Sequence, residues 1–112
     1  IVPAAWIADT VAGDGSSRDC FAKGEYGQEM PGWHYRNQVW IASSEPAVML
    51  AIGIHGQLLY MDKARDLVIV MLSSQPEPLD VALGLQVLAA LMAIASGNQQ
   101  LGTTGLAAGD PA

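Results

Sequence analysis

Residues 48–72 read VMLAIGIHGQLLYMDKARDLVIVML. Three apolar runs lie here, separated by breaks too short for a crossover helix. Val48 to Ile54 is a strand candidate, Leu58 to Met61 another, and Leu67 to Leu72 a third. Gly56-Gln57 and the charged segment Asp62 to Asp66 fall between them. Links this short join antiparallel neighbours, so the stretch predicts a meander. The unbroken apolar run at 67–72 predicts a strand covered on both faces.

Working outward, Gln38 to Ala42 is a further strand candidate, and Ser43 to Pro46 is turn-like. Downstream, Pro76 and Pro78 stop the last strand. Asp80 then opens a helix, where a carboxylate complements the dipole. That helix runs through Leu83, Val87, Leu88, Leu91 and Ile94, with Gly97-Asn98 as the expected C-cap. It has so few polar residues that burial on more than one side is expected. Upstream, Pro3 to Thr10 predicts a short helix ending before Gly13. The Gly/Ser/Asp-rich stretch 14–19 reads as a loop, and 20–32 as irregular. Residues 99–112 form a Gly/Ala/Thr-rich tail of low complexity. The expected class is α+β: an antiparallel sheet of about four strands with flanking N- and C-terminal helices over residues 1–98.

Composition narrows the rest. Of 112 residues, 51% are apolar and 14% charged. A domain this small has too much surface to hide so much apolar material alone. One helix covers one sheet face, and the other face still needs a cover. Either another polypeptide supplies it or the chain is part of a larger fold. The net charge of −6 has no Lys/Arg cluster set against it, so neither a nucleic-acid nor a membrane partner is expected. The apolar run from Val81 to Ala95 is too short to span a bilayer comfortably. A basic segment followed by an apolar run is not found at the start, so no signal peptide is read, and the compartment stays open. Cys20 is the one cysteine, which excludes an internal disulfide.

Chemistry is sparse. Gly53-Ile54-His55-Gly56-Gln57 brackets a histidine with glycines at the end of an apolar strand. Glycine there marks close approach of a ligand or another backbone, and free N–H groups at a strand end can stabilise an oxyanion. From spacing alone the same five residues read first as a bulge or turn holding a structural histidine, since a lone histidine is a weak signal. Tyr35-Arg36-Asn37 matches a Tyr-x-Asn pattern but runs straight into a strand, and reads as a strand leader. His34 and His55 have no companion ligands at metal-binding spacing, and no cofactor is expected. No serine is followed three residues later by lysine, and none lies in Gly-x-Ser-x-Gly. The chain carries no self-contained covalent catalyst.

Met30-Pro31-Gly32-Trp33-His34-Tyr35-Arg36-Asn37-Gln38-Val39-Trp40, then Ala51 to Gln57, Leu59 to Asp62 and Leu67 to Pro76 together resemble the C-terminal third of 6-aminohexanoate-dimer hydrolases and related β-lactamase-fold esterases. The resemblance covers most of residues 1–96. It implies an incomplete portion of a β-lactamase/transpeptidase-like fold, whose Ser-x-x-Lys and tyrosine base come from elsewhere in the polypeptide. It aligns Ala51-Ile52-Gly53 with the Lys-Thr-Gly or His-Thr-Gly motif of such enzymes. By that carry-over the Ile54 backbone N–H is an oxyanion-hole donor, while Gly53, His55, Gly56 and Ile52 line the substrate. Ala51 stands where the family places a cation for an acidic substrate group. That departure favours a small amide or ester substrate over a β-lactam. The implied partners are that substrate and the remainder of the parent hydrolase. A non-catalytic module that dimerises through its apolar sheet is the alternative.

Overall fold

The computed structural model describes the backbone of residues 1–107 and the side chains of residues 1–97. Its order is α1 (Ala4–Ala12), α2 (Gly15–Lys23), β1 (His34–Arg36), β2 (Val39–Ser44), β3 (Ala47–Ile52), a 3-10 turn (Ile54–Gly56), β4 (Leu58–Asp62), β5 (Leu67–Met71) and α3 (Val81–Ala107). The α+β class and the meander hold. All five strands are antiparallel and lie side by side in chain order. The three-residue strand β1 is an addition to the four that the apolar pattern marks.

The sheet registers sort its residues between two faces. Leu50 pairs with Trp40 on one side and Tyr60 on the other, and Tyr60 pairs with Ile69. These side chains share one face. Against it α3 lays a single stripe, Leu88, Leu91 and Ala95, which with Trp33, Val48, Leu50 and Tyr60 forms the core. Ile94 on the same helix is 57% exposed. So α3 is buried along one side, not several, despite its apolar composition. Its backbone also passes Gly97 and Asn98 without the expected cap and continues to Ala107. Of the tail read from residue 99, residues 108–112 lie outside the described residues.

The opposite face is covered only in part. His34 and Ile41, paired across β1 and β2, are buried there. On β5, Val68 and Val70 are 61% and 63% exposed. The apolar run 67–72 is therefore not covered on both faces. Its alternation is complete, and half of it faces outward.

Residues 15–23 are the clearest departure from expectation. They form α2, where 14–19 reads as a loop and 20–32 as irregular. The signal was a capping box that the loop-like composition concealed. Asp14 Oδ1 accepts from the Ser17 N–H at 2.8 Å, and the Asp14 N–H donates to Ser17 Oγ at 3.0 Å. Phe21 then docks edge-on against Trp40, with ring centroids 5.9 Å apart. Tertiary packing stabilises a helix whose own sequence is mostly polar.

The helices are tied to β1 by polar contacts. Arg36 donates to both carboxylate oxygens of Asp9 at 3.0 Å, and to Asp14 at 3.1 Å. Buried His34 lies with Nε2 3.1 Å from the Val11 carbonyl, and Ser44 Oγ donates to the same carbonyl at 2.7 Å. That carbonyl belongs to the last turn of α1, where the helix no longer supplies donors.

Candidate functional site

Strand β3 ends at Ile52, and the chain turns back through Gly53–Gln57 into β4. Two backbone bonds shape this turn. The Gly53 N–H donates to the Gln57 carbonyl at 2.9 Å, and the Gln57 N–H to the Ile54 carbonyl at 3.4 Å. His55 sits at φ 57°, ψ 29°, and Gly56 at φ 78°. Two successive left-handed residues give the tight reversal. Glycine takes that conformation freely and histidine takes it under strain.

The outer side of the turn is clasped by the segment that leads from β5 to α3. The His55 N–H donates to the Pro78 carbonyl at 3.0 Å, and the Gln75 N–H to the His55 carbonyl at 3.2 Å. His55 Nδ1 lies 2.8 Å from the Gln75 carbonyl oxygen. A carbonyl only accepts, so Nδ1 is the protonated nitrogen. The Gln57 side-chain amide pairs with the backbone of Ser73, donating to its carbonyl and accepting its N–H at 3.3 Å. A side chain at Gly56 would strike that of Gln75, with a Cβ only 2.5 Å from its Cδ.

The Ile54 N–H takes no part in these contacts. The N–H of Ile54 has no hydrogen-bond acceptor among the described residues, on a residue whose side chain is 66% exposed. Ile52, just before the turn, is 39% exposed. Gly53 is at φ −112°, ψ 170°, an extended conformation open to any residue. A Cβ there would meet Gln57 Cβ at 3.1 Å, so Gln57 would have to yield by a few tenths of an ångström. Backbone conformation therefore does not require glycine at 53. The structure brings Ile52, Gly53 and Ile54 together at an exposed strand end. His55 and Gly56 are turned toward the 75–78 segment. Gln57, Ser73 and Gln75, which hold the turn, gave no sign in the sequence beyond their polarity.

An apolar cavity of about 120 Å³ adjoins the turn, lined among others by Met30, Trp40, Ile52, Gly53, Met71 and Leu85. Among the described residues no group of His, Cys, Asp or Glu is placed to hold a metal ion. No described helix is long and apolar enough to cross a membrane.

Over 78 residues, 70% of its length, the chain is 36% identical to a 6-aminohexanoate-dimer hydrolase of Paenarthrobacter ureafaciens. The matched region is 19% of that enzyme, so the chain spans about a fifth of the length of the curated relative it matches. No protein-family profile matches the chain. No solved structure matches it. The likeness supports a relationship to a hydrolase.

Proposed function

We propose that this chain forms one wall of the cleft of a serine hydrolase that cleaves an amide or ester bond through an acyl-enzyme. In this reading the Ile54 N–H is one of two oxyanion-hole donors. The attacking serine, its lysine and the tyrosine base lie on polypeptide outside these 112 residues. The observation that carries the proposal is the pairing of a free Ile54 N–H with a preceding glycine that its own backbone conformation does not demand. A donor aimed at a developing oxyanion must be fixed beforehand and unspent on the protein itself. A glycine beside it lets the reacting carbonyl approach the strand. Likeness to an enzyme that acts on 6-aminohexanoate dimer agrees with an amide or ester bond.

The test is Gly53→Val in the full-length protein, read by hydrolysis of p-nitrophenyl acetate and by labelling with a fluorophosphonate. Blocking one oxyanion donor lowers kcat by about 100- to 1000-fold in comparable sites. The thermal midpoint is read beside it, because a Cβ at 53 meets Gln57 Cβ at 3.1 Å, and kcat is compared on folded protein only. Unchanged turnover would show that this strand end takes no part in the reaction.

The exposed apolar residues Val68, Val70 and Leu72 support a second reading. In it the chain is a non-catalytic module that pairs with a copy of itself through that face. Sedimentation of the 112-residue chain separates the two readings. A dimer that Val70→Lys dissolves, together with no hydrolysis by the full-length protein, would favour the module.

A further inference from the structure

We infer that His55 is a positioning residue, which sets the Ile54 N–H in place by anchoring the turn to the β5–α3 connection. The inference rests on the proposed oxyanion role of Ile54 and assigns a cause to its geometry. Three groups of His55 are engaged, all with the segment 75–78: the N–H with Pro78 at 3.0 Å, the carbonyl with Gln75 at 3.2 Å, and Nδ1 with Gln75 at 2.8 Å. No other residue of the turn is held on both its backbone groups and its side chain by one distant segment. This over-determination matters because a histidine at φ 57° is strained and keeps that conformation only where its surroundings enforce it.

The link to Ile54 is direct. The peptide N–H of residue 54 lies between two fixed points, the Gly53 N–H on the Gln57 carbonyl and the Ile54 carbonyl under the Gln57 N–H. Returning His55 to a negative φ would break the second of these and free the peptides on either side of Ile54. The donor would then sample directions away from the reacting carbonyl. Such a loss falls on the transition state, where the oxyanion exists, and leaves ground-state binding alone. Gln57 reinforces the same attachment two residues on through Ser73.

His55 can be replaced in ways that separate conformation from hydrogen bonding. Leucine disfavours positive φ and offers no donor. Glycine accepts positive φ and offers no donor. Asparagine tolerates positive φ, and its amide N–H stands near the place of Nδ1. The experiment uses these three variants in the full-length protein. Its readouts are kcat and KM for p-nitrophenyl acetate, and deuterium exchange of the peptide spanning residues 53–57. His55→Leu should speed exchange at least about tenfold and lower kcat by about 10- to 100-fold, the scale set by small misplacements of a catalytic group. KM should stay within about twofold. His55→Asn should recover most of both losses, and His55→Gly should fall between. Faster exchange in His55→Leu with undiminished kcat overturns the positioning role. Exchange that does not change overturns the clasp itself. If the unsubstituted protein hydrolyses no ester and takes no fluorophosphonate, the hydrolase reading has failed and this inference falls with it. The exchange data distinguish that case, because they still respond to His55→Leu.

Discussion

Replacing Gly13 by alanine should destabilise the protein by more than the same change at Gly32, and the structure sets out why. Gly13 closes α1 at φ 60°, ψ −163°, a region that is essentially closed to residues with a side chain and costs them about 1–3 kcal/mol. A Cβ at this position would also lie 2.6 Å from His34 Cε1 and 2.9 Å from Nδ1. His34 cannot step aside, because it is 1% exposed and its other nitrogen lies against the Val11 carbonyl. Overpacking of this kind adds about 1–3 kcal/mol, for an expected total of about 2–6 kcal/mol. Gly32→Ala is the control. Gly32 also has a positive φ, 82°, but nothing lies near the added methyl, so it should show only the left-handed penalty of about 1–2 kcal/mol. Urea unfolding followed by tryptophan fluorescence measures both. Removing the ring in the double variant Gly13→Ala/His34→Ala should recover the His34 share of the steric cost as a coupling energy of about 1–3 kcal/mol, while Ser17 Oγ, 2.9 Å from the added Cβ, keeps its share. Equal losses for Gly13→Ala and Gly32→Ala, with no coupling to His34, would refute the reasoning.

Leu50→Ala, at a residue with 0% exposure in the central strand, should cost about 2–5 kcal/mol in the same assay. Ile52→Ala, two residues along the strand and 39% exposed, should cost clearly less. Acid should weaken the fold in two stages. His34 titrates below its ordinary 6.5, because burial opposes its charge and Arg18 and Arg36 repel it, with Val11 and Asp14 acting the other way. Its stability contribution is complete above pH 6.5 and declines as pH falls through the lowered value. Asp9, held by Arg36, and Asp14, held first by the Ser17 N–H, both titrate below their ordinary 3.8. Their contribution is present above that pH and disappears as they protonate. Urea midpoints measured from pH 8 to pH 3 should show both stages, and His34→Gln should abolish the upper one.

The strands β2 to β5 were legible because apolar runs and their breaks report strand length and connection directly. What lay beyond the sequence was non-local. Residues 15–23 look like a loop until Phe21 meets Trp40, and only the Asp14-x-x-Ser17 spacing hinted at a helix. The run 67–72 suggested burial on both sides, whereas composition cannot say whether a covering layer is present. In the candidate site, Gly53 to Gly56 declared a turn. That His55 serves the turn through Gln75 and Pro78 could not be read, since its partners are twenty and more residues away and all three bonds end on their backbone atoms. The free N–H of Ile54 was expected from family likeness and not from the residue, because any amino acid except proline presents that group.

Among the described residues, strand β5 is the last in the sheet and bonds to β4 alone. It is five residues long and contains no proline, lysine or other charge. Nature usually guards such a margin against self-templating. Produced as a solitary polypeptide, these 112 residues would offer an unprotected backbone ladder flanked by valines to every other copy in the tube. Self-association that grows with concentration is the expected outcome, and the sedimentation runs on the isolated chain would register it. A single lysine in place of Val68 would act as a gatekeeper, keeping the preparation clear while leaving the buried side of the strand untouched.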